Sequence, residues 1–163
     1  MARFFQSSRL WCLLIVILIS FFSSVATADE KTGYDGWEVG STYNSYYNAK
    51  ERDTLKGEIV QFQEVTPLPG MDPGTAFILQ EGDDKILVHL CPVTFRSAES
   101  TGLRKGAKTK VKGCWAVIDG QDVFMAAKVK QGDSFEFKVR LTKDGKPFWG
   151  MSPEELAEET TAQ

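Results

Sequence analysis

The chain has 163 residues, of which 19 are basic and 22 acidic, and its formal net charge at pH 7 is −3. This length is enough for one domain with a hydrophobic core. The acidic balance excludes a general polyanion-binding protein, because such proteins neutralise phosphates with an excess of Lys and Arg.

Residues 1–28 have the pattern of a secretory signal peptide. Arg3 and Arg9 give a basic start, residues 11–22 are almost wholly apolar, and small residues precede a cleavage site after Ala28. A retained membrane anchor is the alternative, although the apolar run is shorter than the about 20 residues that span a bilayer. Cleavage would give a periplasmic protein of 135 residues without stable membrane insertion. Two basic residues and no acid would leave, so the net charge would fall from −3 to −5.

Residues 29–53 form a polar, aromatic leader with four tyrosines and one tryptophan: Tyr34, Trp37, Tyr43, Tyr46 and Tyr47. These rings could stack on a ligand, or they could dock the leader onto the domain that follows. We favour docking, because no basic residues alternate with the tyrosines as they do in nucleic-acid-binding segments.

The predicted domain comprises residues 54–150 and begins with a strand at residues 55–65. Its apolar residues change from one face to the other after Ile59, which is typical of a β-bulge or a sharply coiled strand. Gly57 lies on this strand and predicts the close approach of another backbone segment.

Later segments are assigned from hydrophobic periodicity and from Gly and Pro positions. They are strands at residues 75–80 and 85–91, a short helix at 92–102, a hairpin at 108–131 and a half-buried strand at 134–142. In the hairpin, Asp119-Gly120 supplies the positive φ angles of a type I′ turn.

Residues 151–163 are an acidic tail. Ser152 and Glu155 have the spacing of a helix capping box, and Pro153 suits the first helical position. A brief helix is therefore predicted at this end of the chain.

The order of these elements is one long strand, two strands, a short helix and a hairpin, which is the order of an OB-fold. We therefore predict an all-β protein with small helix content. Its architecture is a five-stranded Greek-key OB-fold barrel with a C-terminal strand or hairpin extension.

Four segments carry a resemblance to a known family: LKGEIVQFQEVTPLPGMDPG, KILVHLCP, KVKGCWAVIDGQDVFMAAKVKQGD and DGKPFWG. Together they resemble small exported bacterial OB-fold proteins, and in particular the OB-like domain of the magnetosome-associated MamS and MamX proteins. The resemblance covers residues 54–150. It implies the fold and export but no catalytic residue, and Cys91 and Cys114 stand where small residues other than cysteine are expected.

Cys91 and Cys114 would be the only cysteines after signal cleavage, in a compartment that is kept oxidising. A disulfide between them is the favoured prediction, and it would close a loop of about 24 residues. Two buried free thiols are one alternative. The other is a metal site, because His89 and Cys91 share a strand face and, with Cys114 and a methionine, would offer soft ligands suited to copper. No second histidine supports such a site.

Basic residues alternate along three predicted strands, so that they share a face if the strands are neighbours. They could form a local anion-binding patch, or simply the solvated face of a sheet, which is commonly rich in lysine. We favour the second interpretation, because no stacking aromatics lie among them. The residues of this predicted basic face are Lys108, Lys110, Lys112, Lys128, Lys130, Lys138 and Arg140.

The sequence has no nucleophile elbow, no recognisable acid pair and no phosphate-binding loop, and a lone histidine needs partners to act as a general base. We therefore predict a non-enzymatic, exported OB-fold module without a cofactor. It would bind an envelope protein or a small ligand. One alternative is a metal- or haem-handling protein. The other is a nucleic-acid-binding OB-fold, and export argues against that second function.

Overall fold

The computed structural model describes residues 33–161, so the predicted signal peptide lies outside the described residues. Six strands dominate this part of the chain: β1 (Arg52–Val65), β2 (Gly74–Glu81), β3 (Asp84–Pro92), β4 (Lys108–Ile118), β5 (Gln121–Gln131) and β6 (Phe135–Lys138). Two α-helices flank them, α1 (Thr42–Ser45) and α2 (Pro153–Thr161), and 3₁₀ turns occupy Glu99–Thr101 and Phe148–Gly150.

The strands form one sheet in the order β3-β2-β1-β4-β5-β6. The sheet closes on itself, because β3 also pairs with β5 in the parallel direction, at Val88–Phe124 and His89–Met125. A ring of five strands in which β1 pairs with β2 and β4, and β3 with β5, is the OB-fold barrel. The predicted fold class is thus confirmed, and β6 is the C-terminal strand outside the ring.

Strand β1 has the predicted irregularity. Its register against β2 shifts between Ile59 and Gln61. Gly57 lies before this bulge, and a Cβ atom there would collide with the carbonyl oxygen of Gln80. The glycine therefore permits the close backbone approach that the sequence predicted.

The hairpin of β4 and β5 turns at Asp119 and Gly120, whose φ angles are 50° and 75°. Ile118 pairs with Gln121 across this two-residue loop. Positive φ at both loop residues is the requirement of a type I′ turn, so the predicted hairpin is confirmed.

The connection between β3 and β4 differs from the predicted short helix. It contains a turn in which the N–H groups of Phe95 and Arg96 donate to the carbonyl of Pro92, and then the 3₁₀ turn, which is followed by Gly102 with φ 74°. Two hydroxyl groups here donate to carbonyls that also accept from backbone N–H groups of the turn. Ser100 Oγ donates to the carbonyl of Ser97 at 3.0 Å, and Thr101 Oγ1 donates to that of Ala98 at 2.7 Å.

The C-terminal helix α2 begins with the predicted capping box. The Glu155 N–H donates to Ser152 Oγ at 3.2 Å, and the Ser152 N–H donates to Glu155 Oε2 at 3.0 Å. No helix in the described part of the chain is both long enough and apolar enough to span a bilayer.

The segment before β1 packs onto the barrel through its rings. Trp37 and Tyr43 are 0% and 1% exposed. Trp37 Nε1 donates to the carbonyl of Asp72 at 2.8 Å, and Trp149 Nε1 donates to the carbonyl of Trp37 at 2.7 Å. Trp37 and Tyr43 are therefore core residues rather than a platform for a ligand.

Candidate functional site

Strand pairing places the predicted basic residues of three strands side by side. Lys110 of β4 lies opposite Lys56 of β1 on one side and Lys130 of β5 on the other. The next row along the sheet joins Lys112 to Lys128, and Lys128 to Lys138 of β6. All six predicted lysines thus occupy neighbouring positions on one face, the outer face of the barrel.

A groove of about 620 Å³ crosses this face near Gly57. Because Gly57 has no side chain, β1 and β2 lie close together beneath the groove. Among the described residues that line it are four lysines and a single acid, and none of them is aromatic. These residues are Lys56, Gly57, Glu58, Val60, Gln80, Gly82, Lys108, Thr109, Lys110, Lys130 and Gly132.

Three lysines of this face share one acidic partner. Glu136 of β6 lies 3.3 Å from Lys128 Nζ, 2.7 Å from Lys130 Nζ and 3.6 Å from Lys138 Nζ. Partial burial raises the pKa of Glu136, but the hydrogen bond from Lys130 and the charge of Lys128 outweigh it and hold that pKa below its ordinary value. The ion pairs therefore offset one of the three positive charges at this end of the face.

The other end of the face carries positive charge without ion pairs among the described residues. Within residues 33–161, no ion pair is formed by Lys56, Lys108, Lys110 or Lys112. Like charges that lie opposite each other on neighbouring strands destabilise a sheet. An anion in the groove would relieve the repulsion between Lys56 and Lys110.

Lys56 was absent from the predicted basic face. Its side chain points outward, because Lys56 alternates with the inward residue Leu55 on β1. That alternation was readable from the sequence, but the pairing with Lys110 was not, since it depends on the register between β1 and β4.

Arg140, in contrast, does not lie on the predicted basic face. The N–H groups of Val139 and Arg140 both donate to the carbonyl of Ala127, at 2.9 and 3.0 Å. Two successive N–H groups that share one carbonyl form a β-bulge, which breaks the alternation of side chains. Arg140 is consequently 1% exposed.

The guanidinium of Arg140 lies among aromatic rings. Its central carbon is 4.8 Å from the ring centroid of Trp149, 5.2 Å from that of Tyr47 and 5.9 Å from that of Tyr43. Nη1 donates to the carbonyl of Gly145 at 3.3 Å, whereas Nε and Nη2 have no hydrogen-bond partner in the described structure. Burial lowers the pKa of Arg140.

His89 and Cys114 are brought into one row, each opposite Met125 of β5. His89 Nδ1 is 3.3 Å from the hydroxyl of Tyr43, and Cys114 Sγ accepts from the N–H of Asn48 at 3.3 Å. Cys91 Sγ donates instead to the carbonyl of Arg96 at 3.7 Å. The segment before β1 therefore covers this part of the barrel wall.

The predicted disulfide is absent, because Cys91 and Cys114 are both buried free thiols. Strand β5 separates β3 from β4, and two strand spacings of about 4.8 Å exceed the about 7 Å that the Cα atoms of a disulfide can span. Burial raises the pKa of the Cys91 thiol to about 12 and also raises that of Cys114. The free-thiol alternative agrees with the structure.

The structure does not assemble His89, Cys91 and Cys114 into a ligand set. Within residues 33–161, no group of three or more His, Cys, Asp or Glu side chains could hold a metal ion. The positive charge of Arg140 acts on both cysteines, and it would oppose a cation there.

The sequence model of the MamS/MamX magnetosome protein family matches residues 51–136. The match spans β1 to β5, which are all the strands of the closed barrel, and the basic groove with them. None of the curated proteins matches the chain.

Proposed function

The chain belongs to the MamS/MamX magnetosome protein family, and we propose that it is an exported, non-enzymatic OB-fold module that binds an anionic partner in the groove over Gly57. From the description of the family, we infer that this module is associated with magnetosomes. Export rests on residues 1–28, which lie outside the described residues.

The observation that carries the proposal is the set of four lysines at one end of the basic face, Lys56, Lys108, Lys110 and Lys112, without an acidic partner among the described residues. The mature chain is net acidic, so these lysines are a local exception rather than part of a basic surface. A concentrated patch of one sign attracts ligands of the other sign and orients them.

The groove also limits the kind of ligand. Single-stranded nucleic acids are held by aromatic rings that stack on bases, and none of the lining residues within 33–161 is aromatic. Several lysines on a rigid sheet favour a ligand with repeated carboxylate, sulfate or phosphate groups. We infer that the groove recognises its ligand by charge rather than by contacts with nucleic-acid bases.

A binding role without catalysis is supported by the lining of the groove. The described residues that line it include no His or Cys, and Glu58 is the single acid among them. The chain's one histidine is buried, with its pKa lowered to about 4 by that burial, so it is a poor general base at neutral pH.

The test is a binding titration of the mature protein with heparin and with polyglutamate at several salt concentrations. Lys56, Lys108 and Lys110 are changed together to Gln, and the control changes Lys50, Lys85 and Lys143, which are exposed lysines outside the groove. Both variants lose the same net charge.

We expect the groove variant to bind at least tenfold more weakly, and the slope of log affinity against log salt to fall by roughly two to three. The control variant should keep most of its affinity. Equal losses in the two variants would show that only net charge matters and would refute the groove as the site.

Export is tested separately, by the mass of the protein recovered from the periplasmic fraction. We expect a chain that begins at Asp29. Full-length protein in the membrane fraction would show that the signal is retained as an anchor.

A further inference from the structure

The guanidinium of Arg140 is hydrogen-bonded to the protein along one edge only. Nη1 donates to the carbonyl of Gly145 at 3.3 Å. Nε and Nη2 are buried and have no hydrogen-bond partner in the part of the chain that the structure describes. These two nitrogens lie side by side on the other edge of the planar group. That edge is the fork through which arginine binds a carboxylate or a similar anion with two N–H bonds.

Arg140 also has no counter-charge from the protein. None of the ion pairs within residues 33–161 includes it. Its side chain is 1% exposed, so water does not screen the charge. A buried charge is costly unless it is both paired and hydrogen-bonded. The aromatic rings around the guanidinium offset part of this cost, but they supply no anionic acceptor.

The charges around the fork leave a net positive site. Burial raises the pKa of Tyr47, and the charges of Arg140 and Arg52 act in the opposite direction. Burial likewise raises the pKa of Cys114, which Arg140 lowers and Glu51 raises. Arg52 and Glu51 are neighbours in the chain and are both exposed, so their opposite charges largely cancel and are screened by solvent. Arg140 therefore remains the dominant charge.

We propose that Arg140 binds a small monovalent anion, of the size of chloride or formate, which accepts hydrogen bonds from Nε and Nη2. The hydroxyl of Tyr47 is a third donor close by. It is buried without a partner among the described residues, and its ring centroid is 5.2 Å from the central carbon of Arg140. An anion satisfies the donors of the fork and supplies the missing counter-charge.

Water fits this position less well than an anion does. A water molecule accepts hydrogen bonds, but it leaves the buried charge unpaired. Water suits instead Asn44 Oδ1, the remaining buried side-chain atom without a partner in the described chain, because that oxygen needs a donor.

Burial limits the size of the anion and separates this site from the basic groove. The rings of Tyr47 and Trp149 border the guanidinium, so a charged group on a polymer cannot reach the fork. Neither ring lines the groove, and Arg140 does not line it either. Tyr47 precedes β1 and Trp149 lies in the 3₁₀ turn Phe148–Gly150, so a bound anion stabilises the contact between these two segments.

The first test compares thermal unfolding of the mature protein in sodium chloride, sodium formate and sodium gluconate, each at about 100 mM. Gluconate keeps the ionic strength but is too large for the site. We expect the unfolding midpoint to be at least about 3 °C higher in chloride or formate than in gluconate. Arg140→Met should show no such difference. The matched control changes Lys56, Lys108 and Lys110 to Gln, and it should keep the whole difference, because it removes only the lysines of the groove.

The second test locates the anion directly in crystals of the unchanged protein grown in sodium bromide, since anomalous scattering marks bromide. We expect a bromide ion within hydrogen-bond reach of Nε and Nη2 of Arg140. Bromide at surface lysines alone would be an adventitious ion only and would overturn the proposal. Equal midpoints in the three salts would overturn it too, as would a difference that persists in Arg140→Met. The bromide position does not depend on how well Arg140→Met folds.

Discussion

The hydroxyl of Tyr43 lies 3.3 Å from Nδ1 of His89, so the segment before β1 is joined to the barrel wall through the chain's one histidine. The two rings are also stacked, with centroids 6.1 Å apart. Burial lowers the pKa of His89 from 6.5 to about 4. The imidazole is therefore neutral in the folded protein at neutral pH.

The stability of the fold should fall as the pH drops from 6.5 toward 4. In this window the unfolded chain binds a proton at His89 and the folded protein does not, so protonation favours unfolding. Between pH 7 and pH 5 the expected loss is about 2 kcal/mol. Urea denaturation measures it, and His89→Gln should flatten the dependence over this range. An equal loss in that variant would mean that other groups are responsible.

Gly57 should tolerate no side chain. The Cβ of alanine would meet the carbonyl oxygen of Gln80 and lie 3.1 Å from Cγ of Leu79, so β1 and β2 would have to separate. We expect Gly57→Ala to lower the free energy of unfolding by about 1–3 kcal/mol and to weaken heparin binding. Lys56→Ala is the control for stability, because Lys56 is exposed and its side chain makes no ion pair in the described part of the chain, and it should cost no more than about 0.5 kcal/mol. Equal stability of the two variants would contradict this account of the close approach.

Local signals in the sequence predicted much of the fold. Asp119-Gly120 determined a turn, the change of face after Ile59 marked a bulge, and the order of strands indicated the barrel. Arg140 was misplaced because its bulge arises from pairing with β5, and no residue near it signals one. The disulfide was inferred from the compartment and from the cysteine count. Neither of these gives the distance between β3 and β4, and the two thiols are free.

Two thiols should be titratable in the mature protein, but only after unfolding. Cys91 and Cys114 are buried and free, and burial raises the pKa of both, so neither is a reactive thiolate at pH 8. We expect almost no reaction of the native protein with Ellman's reagent, and two thiols for each chain in denaturant without reductant. No thiol under the second condition would show that the cysteines are bonded after all.

Arg140 offers a test of what a buried cation contributes to the stability of the fold. Its guanidinium has aromatic rings around it but no carboxylate partner among the described residues, and two of its nitrogens make no hydrogen bond there. Its desolvation is therefore only partly compensated. Replacing such a charge with an apolar side chain of similar length is often neutral or stabilising.

We accordingly expect Arg140→Met to change the free energy of unfolding by less than about 1 kcal/mol or to raise it. Arg140→Ala should lower it by about 2–4 kcal/mol, because the rings of Tyr47 and Trp149 would then border an empty space. Urea denaturation of both variants separates the contribution of the charge to the free energy of unfolding from the contribution of packing. If Arg140→Met lowered the free energy of unfolding as much as Arg140→Ala, the charge of Arg140 and not its volume would hold the segment before β1 against the 3₁₀ turn Phe148–Gly150.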